Sequence, residues 1–108
     1  MTLIGWATTY ALTLAGSITA NGELYDPRRF TAAVPTALAG YHRMLGKSAR
    51  VCIGRRCVVV RINDTGPFYW LPTPDGLPRV IDLSTGAANA LGMSGMARVT
   101  ITIRHSLP

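Results

Sequence analysis

Acidic side chains are scarce in this chain of 108 residues: five carboxylates stand against eleven Lys and Arg, a net charge of +6. Charged residues make up only 15%, well below the usual quarter, and aromatics 7%. The cations form no run and no basic amphipathic helix; they pair only at Arg28-Arg29 and Arg55-Arg56. Without Arg/aromatic interleaving or a recognition helix, a nucleic-acid groove is disfavoured, so no nucleic-acid partner is expected. Histidine occurs only at His42 and His105 and cysteine only at Cys52 and Cys57, with no ligand spacing among them. No metal site and no cofactor are therefore expected. No long apolar run exists either. Leu3 to Ala20 is interrupted by Thr8, Thr9, Tyr10 and Thr13 and lacks a basic leader, which argues against a signal peptide and against a membrane span. There is no repeat of fixed period and no low-complexity segment.

What is present is apolar material, 48% of the chain, enough for the core of one compact domain over residues 1–108. Eleven glycines and seven prolines, spread along the chain, predict many short elements with frequent turns. The positive charge favours an anionic partner, of which nucleic acid, a membrane surface and an acidic cell-wall polymer are the classes, the first disfavoured above.

The most informative stretch is Val58-Val59-Val60-Arg61-Ile62-Asn63-Asp64-Thr65-Gly66-Pro67. Its β-branched run predicts a buried strand, and Thr65-Gly66-Pro67 forces a turn. A carboxylate is thus delivered at the mouth of a rigid strand. Asp64 is either chemical there or the head of an Asx-turn that accepts from the Thr65 or Gly66 amide. Before it, Ala49, Val51 and Ile53 alternate with polar positions, and Gly54-Arg55 fits a two-residue type II′ hairpin turn. That register makes Cys52 and Cys57 a non-hydrogen-bonded pair with close Cα atoms. A cross-strand disulfide is predicted, with two facing thiols as the alternative.

The other elements are short. Leu3 to Leu14 reads as one or two strands, with Gly5 permitting a bend or bulge. Asn21-Gly22 and Asp26-Pro27 are turn signals that leave Glu23 on a constrained segment. Phe30 to Val34 reads as a strand, and Pro35 to Leu45 as one short helix at most, with Pro35 in its first turn. Phe68-Tyr69-Trp70 open a proline-punctuated loop, suited to stacking on sugar rings or to packing as a lid. Arg79-Val80-Ile81 is a short strand, and Asp82-Leu83-Ser84 starts a helix that either Asp82 or Ser84 can cap, with Gly92 at its end. Ala97, Val99, Ile101 and Ile103 alternate in a closing strand. The fold class is mainly β, a small barrel with one or two brief helices.

Six segments in this order carry a family resemblance: Gly5 to Tyr10, Thr19 to Pro27, Phe30 to Ala33, Val58 to Pro67, Val80 to Ser84, and Ala90 to Met93 leading into Gly95 to Ala97. Each alone is a weak signal. Together, from about Gly5 to Ile103, the chain resembles the rare lipoprotein A-like family of double-psi β-barrels, septal-ring lytic transglycosylases distantly similar to expansins. The resemblance implies a six-stranded double-psi barrel with a shallow groove. It also implies a lyase that cleaves the MurNAc–GlcNAc bond of peptidoglycan and leaves a 1,6-anhydro end. The implied setting is extracytoplasmic or secreted, at the cell wall, and the expected state is a monomer.

Carried over by position, Glu23 and Asp64 match the family's essential acids, and Asp82 the aspartate critical in expansin-like members. Glu23 is assigned as general acid and later base, provided burial raises its pKa, with Asp64 ionised beside it. Trp6, Tyr10, Tyr25, Asn63, Tyr69 and Trp70 are the expected substrate-binding groups. Val34 departs from the pattern: members of the transglycosylase branch carry a histidine there. The competing expectation is a non-catalytic, expansin-like module that binds or loosens wall polysaccharide.

Overall fold

A computed structural model describes residues 1–10, 14–66 and 72–104. Six strands, β1 (Thr2–Thr9), β2 (Thr31–Pro35), β3 (Ser48–Ile53), β4 (Arg56–Gly66), β5 (Arg79–Leu83) and β6 (Ala97–Ile103), close into a barrel in the order β1-β5-β2-β4-β3-β6. β1 runs parallel to β5 and β2 parallel to β4, while the four remaining pairings are antiparallel. One helix, α1 (Thr85–Ala90), and a 3-10 turn at Tyr41–Arg43 complete the described residues.

Alternation decides which side chains fill the barrel. Ala49 and Val51 of β3 and Val99, Ile101 and Ile103 of β6 point inward, all at most 4% exposed. They meet Val60 and Ile62 of β4 and Val80, Ile81 and Leu83 of β5 in one core. Full burial of each large aliphatic side chain contributes about 1.5–3 kcal/mol. The valine triplet is not buried throughout, as its composition suggested: Val60 is 1% exposed but Val59 is 47% exposed. β4 has the core on one side only, and nothing packs on its outer face at Val59.

Three other expectations change. Pro35 ends β2 instead of opening a helix, because Pro35 still pairs with Gly66 of β4. Asp82 and Leu83 belong to β5, and the helix starts one residue beyond Ser84. Ser84, fully buried, is the N-cap: its hydroxyl accepts from the Ala87 amide at 3.3 Å and donates to the Arg29 carbonyl at 2.6 Å. At the other end Gly92 and Met93 amides return to Asn89 and Ala88 carbonyls, a Schellman closure with Gly92 at C′ as expected. Gly5 is needed for space, not for a bend. A Cβ there would lie 2.6 Å from the Pro78 carbonyl oxygen and 2.7 Å from Val80, where β1 meets β5, and the bulge falls between Trp6 and Ala7.

The hairpin register is the one the sequence predicts: Ile53 faces Arg56, and Cys52 faces Cys57. Gly54 alone carries a positive φ in the turn, 56°, which fits type II′ and excludes type I′. Cys52 and Cys57 are joined by a disulfide, with Cα atoms 4.1 Å apart.

Candidate active site

The strand register brings two of the three predicted acids to one row of the barrel. Ala33 of β2 pairs with Asp64 of β4 on one side and with Asp82 of β5 on the other, and Asp82 pairs onward with Thr8 of β1. Two strand spacings separate the carboxylate-bearing backbones, about 9–10 Å. Ala33 between them is 5% exposed and clusters with Tyr10 and Tyr25.

The two carboxylates sit in different environments. Asp64 accepts from the Tyr10 hydroxyl at 2.7 Å through one oxygen, and from the Ala20 and Thr65 amides at 2.9 Å through the other. The Asx-type bond to Thr65 is therefore real, and it coexists with two long-range bonds that aim the group. Tyr10 stacks on Tyr25 with ring centroids 4.5 Å apart. Burial, and then the bond to Asp64, hold its phenol well above the ordinary range, so it remains a donor. Asp82 has a side chain only 17% exposed. Burial pushes its carboxyl above the ordinary carboxylate range and the Asp64 charge adds to the rise, while the Thr8 hydroxyl, donating at 2.9 Å, and Arg79 pull it back. Arg79 in turn donates to Thr8 at 2.7 Å. Ser84 takes the capping role and leaves Asp82 free for chemistry.

Glu23 is elsewhere and behaves differently. The Asn21-Gly22 turn folds as predicted, with the Gly22 amide on the Thr19 carbonyl, and the Asn21 amide pins it to the Asn63 carbonyl of β4. Asn21 and Arg61 each donate to Glu23 Oε1 at 2.9 Å. The Asn21 bond, followed by Arg61, holds the Glu23 carboxyl below its ordinary value, the opposite of the expected rise. The physical reason is that the side chain is 41% exposed beside a guanidinium, not buried. Glu23 lines an open recess of about 190 Å³ with Asp26, Arg29, Phe30, Arg61 and Asn63, among others, and neither Asp64 nor Asp82 faces it. Asp26, read from sequence only as a turn residue, is thus a second acid at this recess. Its Asp-Pro context hid that, because the turn explained it completely.

Among the expected binding groups, Tyr25 is 3% exposed and receives the Thr85 amide on its hydroxyl, so it supports Tyr10 instead of offering a ring face. Tyr10, 9% exposed, likewise acts through its hydroxyl. Asn63, 3% exposed, is a buried partner of Glu23 at the bulge in β4. Trp6 is partly exposed, with its indole N–H on Asp75 at 2.7 Å. Tyr69 and Trp70 lie outside the described residues. Val34 is 1% exposed and belongs to the core.

Residues 3–103 match the family model described as lytic transglycolase. The chain belongs to that family. The chain is 41% identical over 106 residues to the endolytic peptidoglycan transglycosylase RlpA of Yersinia pestis, covering 97% of this chain and 26% of that protein. It is 46% identical over 95 residues to a probable endolytic peptidoglycan transglycosylase RlpA of Nostoc, covering 82% of this chain and 22% of the relative. The chain therefore spans about a quarter of the length of these relatives. Among solved structures, an expansin of Clavibacter michiganensis superposes with a TM-score of 0.71 at 20% identity, over all of this chain and 52% of that one. A Streptomyces papain inhibitor does so at 0.67 and 20%, covering 97% of this chain and 96% of its own. At such identities these likenesses show the double-psi β-barrel fold, which proteins with unrelated roles share.

Proposed function

We propose that this domain is a lytic transglycosylase that cleaves MurNAc–GlcNAc bonds of peptidoglycan glycan strands outside the cytoplasm, with the barrel of residues 1–108 acting as one unit. The observation that carries the reading is the pair Asp82 and Asp64, held in one row across Ala33 in opposite environments. The RlpA relatives, named as endolytic peptidoglycan transglycosylases, supply the substrate class.

Cleavage of a glycosidic bond needs a proton donor at the leaving oxygen and a negative group near the developing oxocarbenium. Asp82, its carboxyl raised by burial, is the donor. Asp64, fixed by three hydrogen bonds, faces the positive charge on the sugar. The C6 hydroxyl of the same MurNAc attacks C1 as the bond to the leaving oxygen breaks. Its proton passes to the Asp82 carboxylate left by the first transfer, so the enzyme ends as it began and no water is consumed. Glu23 and Arg61, at their own recess, grip the strand on one side of the scissile bond. Asp26 extends that recess.

The test is incubation with purified peptidoglycan, and with glycan strands freed of stem peptides, followed by mass spectrometry. Anhydro-MurNAc ends are expected, and they vanish in Asp82→Asn and fall steeply in Glu23→Gln. Retention on insoluble wall without soluble product would sink the enzyme in favour of a non-catalytic binding module. One observation favours that second reading: the position of the family's histidine is filled by Val34 and sealed into the core.

A further inference from the structure

All five carboxylates of the chain are spoken for. Glu23 pairs with Arg61, Asp26 with Arg28 and Arg29, Asp75 with Arg98 and Asp82 with Arg79, while Asp64 is held by Tyr10 and two amides. Of the eleven cations, six are left with no carboxylate partner among the described residues: Arg43, Lys47, Arg50, Arg55, Arg56 and Arg104. The net charge of +6 is therefore not spread over the surface. Five of the six fall within residues 43–56. The sixth joins them because the Arg104 amide donates to the Ser48 carbonyl at 3.0 Å.

The register places three of these charges along one outer face. Arg104 lies beside Ser48, which pairs with Arg61; Arg50 sits between Thr102 of β6 and Val59 of β4; Arg55 is at the hairpin tip. Arg50, Arg55 and Arg104 are exposed. Ser48, beside Arg104, is two residues from Arg50 along β3, about 7 Å of strand and less than one Debye length at 0.1 M salt, so the fields of the two arginines add. In the closed barrel, β3 is three strands from β5 in either direction, so this face is on the far side from Asp82. It reaches the Glu23 recess at Arg61, which belongs to both.

We infer that the outer face of β3 and its flanks is a docking surface for a linear phosphodiester polymer of the cell wall, of the poly(glycerol phosphate) type. Its exposed cations, Arg50, Arg55 and Arg104, are all arginines, whose planar fork matches phosphate oxygens in pairs. No aromatic residue lies on the strand positions of this face, so it offers no platform for nucleotide bases. Its one exposed large apolar side chain is Val59, too little to anchor in a lipid surface. The location of the polymer in the wall rests on the proposed function; the anion-binding face does not.

The experiment measures binding of the chain to purified poly(glycerol phosphate) across 25–200 mM salt, on the order of the range where such contacts are resolved. About four phosphate contacts give a log–log slope near −3 and a loss of about fifty-fold between 50 and 200 mM. Arg50→Gln with Arg104→Gln should roughly halve that slope and weaken binding at least about tenfold at low salt. Arg28→Gln with Arg29→Gln removes the same charge from the loop ahead of β2, off this face, and should leave the slope unchanged. Equal weakening by both pairs would show a general charge effect and overturn the inference, as would absence of binding at 25 mM salt. Tighter binding to duplex DNA or to anionic phosphatidylglycerol vesicles at matched salt would overturn the choice of polymer. Cleavage is assayed in parallel on glycan strands carrying no phosphate polymer. Loss of cleavage there with polymer binding intact refutes the enzyme alone, and the converse refutes the docking face alone.

Discussion

Tyr10→Phe removes a single oxygen and tests whether the Tyr10 hydroxyl is what aims Asp64. The ring stack on Tyr25 survives the change, since its centroid distance of 4.5 Å involves no hydroxyl. What disappears is the 2.7 Å bond to one carboxylate oxygen, the only donor on that oxygen among the described residues. A bond to a charged acceptor contributes about 1.5–3 kcal/mol. Asp64 is half-buried, so water recovers part of this, and a loss of about 1–2 kcal/mol is expected. With a urea m value of about 1.3 kcal/mol/M for a domain this size, the midpoint falls by about 1 M at unchanged m. Turnover should fall with it, because the freed carboxylate no longer holds one orientation. An unchanged midpoint would refute the reasoning, since the hydroxyl would then contribute nothing beyond the packing that phenylalanine keeps.

Asp82→Asn should stabilise the protein while abolishing cleavage. The folded carboxyl lies above its ordinary value of 3.8, so its stabilising contribution is complete below that pH and is lost as pH rises through the folded value. Asparagine never ionises, and the variant should therefore unfold at higher urea than the parent at pH 7, the difference vanishing below about pH 4; a less stable variant at pH 7 contradicts the burial argument. Cys52→Ser with Cys57→Ser, or reduction of the parent, should cost about 2 kcal/mol by closure of a loop of about six residues, and an unmoved denaturation midpoint would show the hairpin holds without its cross-link. Val34→His, which places an imidazole at a site 1% exposed, should cost about 3 kcal/mol or more and restore no activity; a stable variant with faster turnover would show that the position belongs to the site.

The local sequence was enough for much of the fold. The alternation in β3 and β6, the Gly54-Arg55 turn with its facing cysteines, and the Asn21-Gly22 turn are all short-range, so backbone preference and side-chain period specify them. Order of motifs pointed to the barrel family. Errors came where a neighbour in space outweighs a neighbour in sequence. Val59 looked buried in a run of valines, but whether anything covers that face is a property of the barrel. Asp82 looked like a helix cap until strand pairing with Ala33 carried it into β5 and left the cap to Ser84.

The candidate site divides the same way. Glu23, Asp64 and Asp82 are candidates from the sequence, Asp64 by its place at a strand mouth and all three by the family resemblance. Which carboxyl is raised and which lowered was not legible, because a pKa depends on burial and on charges distant in sequence. Arg61, thirty-eight residues from Glu23, lowers one carboxyl, while burial between β1 and β2 raises the other. The same holds for the charge. Composition alone determined that this protein carries an excess of +6, but only the tertiary pairing of four acids with five arginines decided which six cations are left without a carboxylate among the described residues.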